Sequence, residues 1–180
     1  MSQQEIREKL VAAERYLTEN PEDARYTDSP ATARVASPGG LLVEVGGPDG
    51  VQVTTDMPRS VGGSDAAPSP GWLLRAAEAS CVATLIAMRA AHERVAFEDL
   101  EVTVDSESDD RGILGIANGE EVPAGPLRTR VRVRVSEVRI DEDDDDIWET
   151  IVNWAVDHCP VTDAVRRAVP LTVEIVTDEA

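Results

Sequence analysis

Two thiols, Cys81 and Cys159, are the only cysteines in the 180-residue chain, and they stand 78 positions apart. Their settings differ. Cys81 lies in the middle of Trp72 to Ala91, a run made mostly of Ala, Leu, Ile, Val and Met. Cys159 is followed by Pro160, which suits the first position of a helix. A sulfur at a helix start has its thiolate favoured by unpaired N–H groups and the macrodipole. In a reducing compartment such a pair is more often catalytic or redox-active than a static crosslink. Two unrelated thiols that only pack is the competing reading, and the residues alone leave both open. The two histidines, His92 and His158, read as surface residues rather than bases.

The elements that must hold these sulfurs can be read from breakers and periodicity. Gly62-Gly63-Ser64-Asp65, then Pro68 and Pro70, form a loop that ends any preceding strand. Ser69 can cap the following helix, with Pro70 at its first position. Arg75 and Glu78 are the only charges from Trp72 to Met88. They are three apart and are expected to pair on the helix surface. A helix apolar on nearly every face is a buried one. Ile147 to His158 forms a further helix with Ile147, Ile151, Trp154 and Ala155 inward. Cys159-Pro160 restarts the chain as another helix through Ala168.

Elsewhere the pattern is of strands. Thr32 to Ser37, Leu41 to Val45 and Val51 to Thr55 are β-type runs separated by Pro-Gly-Gly and Gly-Gly-Pro-Asp-Gly turns, which predicts an antiparallel meander. Leu100 to Asp105 and Arg128 to Val135 alternate, placing Leu100, Val102, Val104, Val131, Val133 and Val135 on buried faces. The outward Arg128, Arg130, Arg132 and Arg134 are expected to pair with Glu101 and Asp105 across strands. A short strand is expected at Ile113 to Ile116 and a closing strand at Leu171 to Val176. Asp141 to Asp146 is a like-charge block, read as a solvated turn or a helix N-terminus; its contiguous acids lack the spacing of a calcium loop. No metal or cofactor is implied.

The N-terminus is separate. Ser2 to Asn20 has helical spacing at Ile6, Leu10, Ala13 and Leu17, a Ser2–Glu5 capping box, and a stop at Asn20-Pro21. Residues 1–28 therefore read as a helical extension and linker, and 29–180 as the domain. The order predicts an α+β fold in which antiparallel sheets wrap a long buried central helix. One subunit would leave that helix half covered, which points to a homodimer.

Composition sets limits. The net charge is −18, and of 17 basic residues only Lys9 is a lysine. Such a surface disfavours nucleic acid and anionic lipid, which need clustered positive charge. It fits adaptation to high salt, a halophilic character. The first residues have neither a basic start nor an apolar stretch, so no signal peptide is expected. The longest apolar run, Ala79 to Met88, is about half of the roughly 20 residues a spanning helix needs. A soluble, cytoplasmic protein is expected.

The glycine loop, Pro70, Cys81 eleven residues later in a buried helix, and Cys159-Pro160-Val161 before a short helix and final strand resemble the OsmC/Ohr family. The resemblance covers roughly Thr32 to Val176. It implies an intertwined dimer with active sites built from both chains, and a thiol peroxidase that reduces organic hydroperoxides in oxidative-stress defence. By position Cys81 matches the peroxidatic cysteine and Cys159 the resolving one, with an external dithiol as reductant. Arg59 falls near the activating arginine of the OsmC branch, and Arg34 lies where the Ohr branch supplies its own. The family's usual glutamate after the loop proline is Gly71 here, and Glu78 is a possible substitute. A non-catalytic dimer binding a small hydrophobic ligand is the alternative.

Overall fold

The computed structural model describes residues 2–116, 119–137 and 146–177. Asp141 to Asp145 of the acidic block lie outside the described residues. Helix α1 is Gln3–Glu19, opened by the reciprocal Ser2–Glu5 capping box. Strands β1 (Thr32–Val35), β2 (Val43–Gly46) and β3 (Gln52–Thr55) form an antiparallel meander in the order β1-β2-β3. Helix α2, Pro70–Glu93, is capped by Ser69, whose side chain accepts from the Trp72 N–H, and carries Pro70 in its first turn. Strands β4 (Phe97–Glu107) and β5 (Arg128–Glu137) make an antiparallel ribbon that pairs Leu100 with Val135, Val102 with Val133 and Val104 with Val131. The one-turn helix α3 (Asp110–Ile113) lies between them, and α4 (Ile147–Asp157) and α5 (Pro160–Arg166) follow.

The core is a stripe rather than a wrapped cylinder. Val82, Ile86 and Ala90, four residues apart on α2, are fully buried with Ile151, Ala155 and Cys159. That spacing is one face of a helix. The β4–β5 ribbon and α4 pack on it, and α1 lies on α2 as well. Gln3 donates to the Val95 carbonyl at 3.1 Å and Arg7 to the His92 carbonyl at 3.3 Å, so the N-terminal helix docks on the far end of α2. The other face of α2 is open, with Trp72 and Leu74 exposed, and the three-stranded sheet makes no extensive contact with it. By length and composition α2 is the one helix among the described residues long and apolar enough to cross a bilayer. Its packing against a ribbon and three helices, with a carboxylate in the buried stripe, makes it a core helix.

Three expectations need correction. Ile113 to Ile116 is not a strand: Asp109 caps α3 by accepting from the Arg111 N–H, and the turn after it closes through Gly115 at φ +65°. Leu171 to Val176 joins no ladder among the described residues, and its Leu171 and Ile175 are 86% and 83% exposed. A strand exists only through its hydrogen-bonding neighbour, and the described residues offer none here. The last helix stops at Arg166, short of Ala168. Asp146, the end of the acidic block, is the N-cap residue of α4, in line with the helix N-terminus expected there, though its side chain makes no capping bond. The arginine row behaves as expected: Arg128 pairs with Glu107, Arg130 and Arg132 with Asp105, and Arg134 with Glu101. These pairs are exposed, so each contributes a few tenths of a kcal/mol.

Candidate functional site

The α2–α5 contact brings the two thiols together. Cys81 occupies the α2 position just before the buried Val82 and is half-buried; Cys159 is fully buried at the start of α5. Cys81 packs against the core cluster that contains Cys159, and each thiol shifts the other's acidity. Cys159 is itself the N-cap of α5, in extended backbone, and its sulfur accepts from the Thr162 N–H at 3.4 Å. The position that hydroxyl and amide side chains usually fill is taken here by a thiol.

The two sulfurs differ in acidity. Burial and the neighbouring Cys159 push the Cys81 thiol up. Burial also acts on Cys159, but Thr162, whose N–H donates to the sulfur, and the neighbouring Cys81 outweigh it and bring that thiol down. Of the two, Cys159 is therefore the more acidic thiol.

Glu78, expected on the surface beside Arg75, is instead 2% exposed. Its Oε1 accepts from the Thr162 hydroxyl at 3.3 Å, and its Oε2 has no partner. Arg75 turns away and donates to Ser106 Oγ at 3.1 Å. The reason is helical phase: Glu78 precedes Val82 by four and so falls on the buried stripe. A cavity of about 600 Å³ opens beyond it, with Val131, Val133, Val152 and Val156 as walls and Glu78 and Thr162 among its lining. Thr162 was not singled out by sequence reasoning, yet Cys159 to Thr162 has the three-residue spacing of an N-cap and its N3 partner.

The arginines are not brought to the thiols. Arg59 sits in a 3₁₀ turn, Arg59–Val61, and its Nε donates to the Ser64 carbonyl at 3.4 Å. Arg34 is on β1, opposite Glu44, and exposed. Neither contributes to the acidity of either cysteine. What fixes the Arg59 loop is Asp56, 1% exposed and overlooked in the sequence. Its Oδ2 accepts from Ser64 N–H at 3.0 Å, Ser64 Oγ at 2.6 Å and Ala66 N–H at 3.1 Å, and its Oδ1 from Met57 N–H at 2.8 Å. The Ser64 hydroxyl, with these N–H groups, holds its carboxyl down at about 2. Gly63 is required at the same turn, because a Cβ there would meet the Met57 carbonyl oxygen at 1.7 Å. Gly71, by contrast, has room: the nearest atoms to an added Cβ are Ser69 Oγ at 3.8 Å and Arg75 at 3.9 Å.

His158 stacks on Trp154 at 4.3 Å and His92 lies 3.5 Å from Glu14, and neither ring hydrogen-bonds a cysteine among the described residues. Among the described residues no three His, Cys, Asp or Glu side chains cluster as a metal ion would need.

Three solved structures share the architecture. An organic hydroperoxide resistance protein OsmC from Legionella pneumophila matches at TM-score 0.57 and 22% identity, covering 79% of this chain and 91% of that one. An OsmC-like protein of unknown function from Vibrio cholerae matches at TM-score 0.62 and 13% identity, covering 77% and 94%. An organic hydroperoxide resistance protein from Elizabethkingia anophelis matches at TM-score 0.56 and 20% identity, covering 79% and 90%. At these identities the likeness is one of fold. No curated protein matches the sequence. The family model for OsmC-like protein matches residues 62–174, the segment from the glycine loop through both cysteines to the final apolar stretch. With more than half of its length matched, the chain belongs to the OsmC-like protein family.

Proposed function

We propose that this protein is a thiol-dependent peroxidase that reduces organic hydroperoxides through Cys81 and Cys159. The observation that carries the reading is that two thiols distant in sequence pack into one core cluster, near enough to shift each other's acidity. Packing alone gives two such sulfurs no reason to meet.

Access and acidity divide the roles. Cys81 is the sulfur a substrate can reach, and Cys159 is the thiol more readily ionised. Cys81 passes its proton to Cys159 and attacks the distal peroxide oxygen. The O–O bond breaks, the alkoxide takes a proton and leaves as alcohol, and Cys81 becomes a sulfenic acid. Cys159, a thiolate again after giving its proton to the alkoxide, attacks the Cys81 sulfur; the S–S bond forms and the S–O bond breaks. The hydroxide takes from solvent the proton Cys159 first released and leaves as water. An external dithiol returns the pair to the reduced state.

The missing guanidinium is supplied by dimerisation in this reading. The open face of α2, the unpartnered three-stranded sheet and the exposed Leu171 to Val176 segment are the surfaces a second copy covers, and Arg59 arrives from that copy. A guanidinium beside Cys81 stabilises its thiolate and offers hydrogen bonds to the peroxide. The 29–180 region forms the dimeric domain and residues 1–28 the extension.

The test is titration of the reduced protein with cumene hydroperoxide, followed by mass spectrometry. An intramolecular Cys81–Cys159 disulfide is expected, absent in Cys81→Ser, while Cys159→Ser accumulates sulfenic acid on Cys81. Free thiols at excess peroxide would refute the reading. The valine-walled cavity favours one alternative, a non-catalytic dimer that binds a small hydrophobic ligand. Unreactive thiols together with saturable quenching of Trp148, which lines the cavity, by an apolar probe would establish it.

A further inference from the structure

A carboxylate taken out of water is normally met by an arginine, a lysine or several N–H groups. Glu78 is met by one hydroxyl. It is 2% exposed, its Oε1 accepts from Thr162 Oγ1 at 3.3 Å, and its Oε2 has no partner among the described residues. The cations that could serve it are committed elsewhere. Arg75 on the same helix is bonded to Ser106, and Arg166 on α5 is paired with Asp157 at 2.9 Å. The arginines of β5 are paired with the acids of β4. What the second oxygen lacks is a donor, because a carboxylate has only lone pairs to offer.

The space beside it is shaped for a molecule. Glu78 is the one α2 residue that lines the cavity of about 600 Å³ between β5, α4 and α5, a size in the range of small-ligand sites. Its walls are apolar: Val131 and Val133 come from β5, and Trp148, Val152 and Val156 from α4. A wholly polar occupant gains nothing from those walls, and a wholly apolar one leaves Oε2 unpaired. An apolar chain ending in an ammonium answers both. The charges agree: Glu149 lines the same cavity, its one arginine is paired with an acid, and a chain of net charge −18 draws cations to its surface. The Thr162 bond is long and the carboxyl torsion of glutamate is broad, so a small turn presents an oxygen to an entering head group.

We propose that this cavity is a binding site for a small primary alkylammonium, its chain against the valines and its head group on the Glu78 carboxylate. Neither cysteine lines the cavity, and neither do the surfaces assigned above to a second copy. The site is therefore separate from the peroxidase reading, and it differs from the hydrophobic-ligand alternative in requiring a charged head.

The test is isothermal titration calorimetry of the reduced, full-length protein with n-hexylammonium chloride at neutral pH. Saturable binding is expected, with affinity rising about fourfold per methylene from butyl- to hexylammonium as each added group is buried. Hexan-1-ol, with the same chain and no charge, should bind about 10-fold more weakly or worse. Glu78→Gln keeps the shape without the charge; it should weaken hexylammonium about 10- to 100-fold and leave hexan-1-ol unchanged. The same variant should raise the Tm of the ligand-free protein, since it removes an unpaired buried charge. Val152→Phe fills the cavity from α4 with Glu78 in place and should lose both ligands. Absence of binding, equal affinity for hexan-1-ol, indifference to chain length or an unaffected Glu78→Gln would each overturn the proposal. A lowered Tm in Glu78→Gln would overturn it too, by showing that a cation of this chain or of a second copy already meets the carboxylate. None of these measurements uses peroxide, so failure of the thiol chemistry leaves the site standing and failure of the site leaves the thiol chemistry standing.

Discussion

Replacing Gly71 with glutamate tests whether the start of α2 has been read correctly, since this is where the chain departs from the pattern it resembles. Gly71 is the second residue of α2, in helical backbone, with only ordinary van der Waals neighbours for a new Cβ, at 3.8 and 3.9 Å. No steric cost is incurred. Glutamate is a better helix former than glycine by about 0.5 kcal/mol. An anion in the first turn adds about 0.3–1 kcal/mol by facing the unpaired N–H groups. Arg75, four residues on, offers a few tenths more, although it is already engaged with Ser106. Against this stands one more negative charge on a chain of net charge −18, which screening at moderate salt reduces. The favourable terms win by about 1 kcal/mol, a rise in Tm of about 2–4 °C for a domain of this size. Differential scanning calorimetry of Gly71→Glu at about 0.1 M and about 1 M KCl measures it. The propensity part should survive high salt and the electrostatic part should shrink, leaving about half the gain. An unchanged or lowered Tm in both buffers would show that this turn is not the unobstructed helix start described above.

Acid should undo the Asp56 clasp. Its folded carboxyl lies at about 2 against an ordinary 3.8, so its stabilisation is complete above about pH 4 and is lost as pH falls toward about 2. Asp56→Asn should be less stable at neutral pH, because an amide nitrogen faces donors, and should show a shallower acid limb by circular dichroism; an identical limb would sink the assignment. Ile86→Ala empties a fully buried site in the α2 stripe and should cost about 2–5 kcal/mol in urea unfolding; a loss below about 1 kcal/mol would mean the stripe is not the core. The acidic surface should make Tm rise with KCl up to about 1 M, through relief of self-repulsion, and a fall would argue against the high-salt reading. In the dimer proposed above, Val173→Asp places a charge in the exposed C-terminal run and should weaken association, raising the monomer fraction by sedimentation velocity with no change in monomer Tm; an unshifted distribution would exclude that segment from the interface.

Much of this fold was legible because its signals are local. Ser69 with Pro70, the Ser2–Glu5 box and the glycine turns of the meander each act within a few residues, and the alternation of Val131, Val133 and Val135 states which side of β5 is buried. The cysteine contact was legible only through resemblance, since no local rule brings positions 81 and 159 together. Glu78 was misjudged because a three-residue spacing to Arg75 looks like a surface pair. Its real neighbour, Thr162, lies 84 residues away on another helix. Asp56 escaped notice for a similar reason: its partners span the following ten residues of a loop whose path is set by its own hydrogen bonds. The fate of Leu171 to Val176 was misread because alternation predicts a strand but does not say which chain supplies the neighbour.

That α5 is capped by sulfur has an effect on the oxidised molecule. Once Cys159 is locked in a disulfide it loses its negative character and becomes a poor acceptor for the Thr162 amide, so the first turn of α5 loosens as the bond forms. Deuterium uptake at that amide should then quicken on oxidation and slow again on reduction. The helix start would serve as a built-in gauge of redox state, and a softened α5 would give an incoming reductant easier entry to the sulfur behind it.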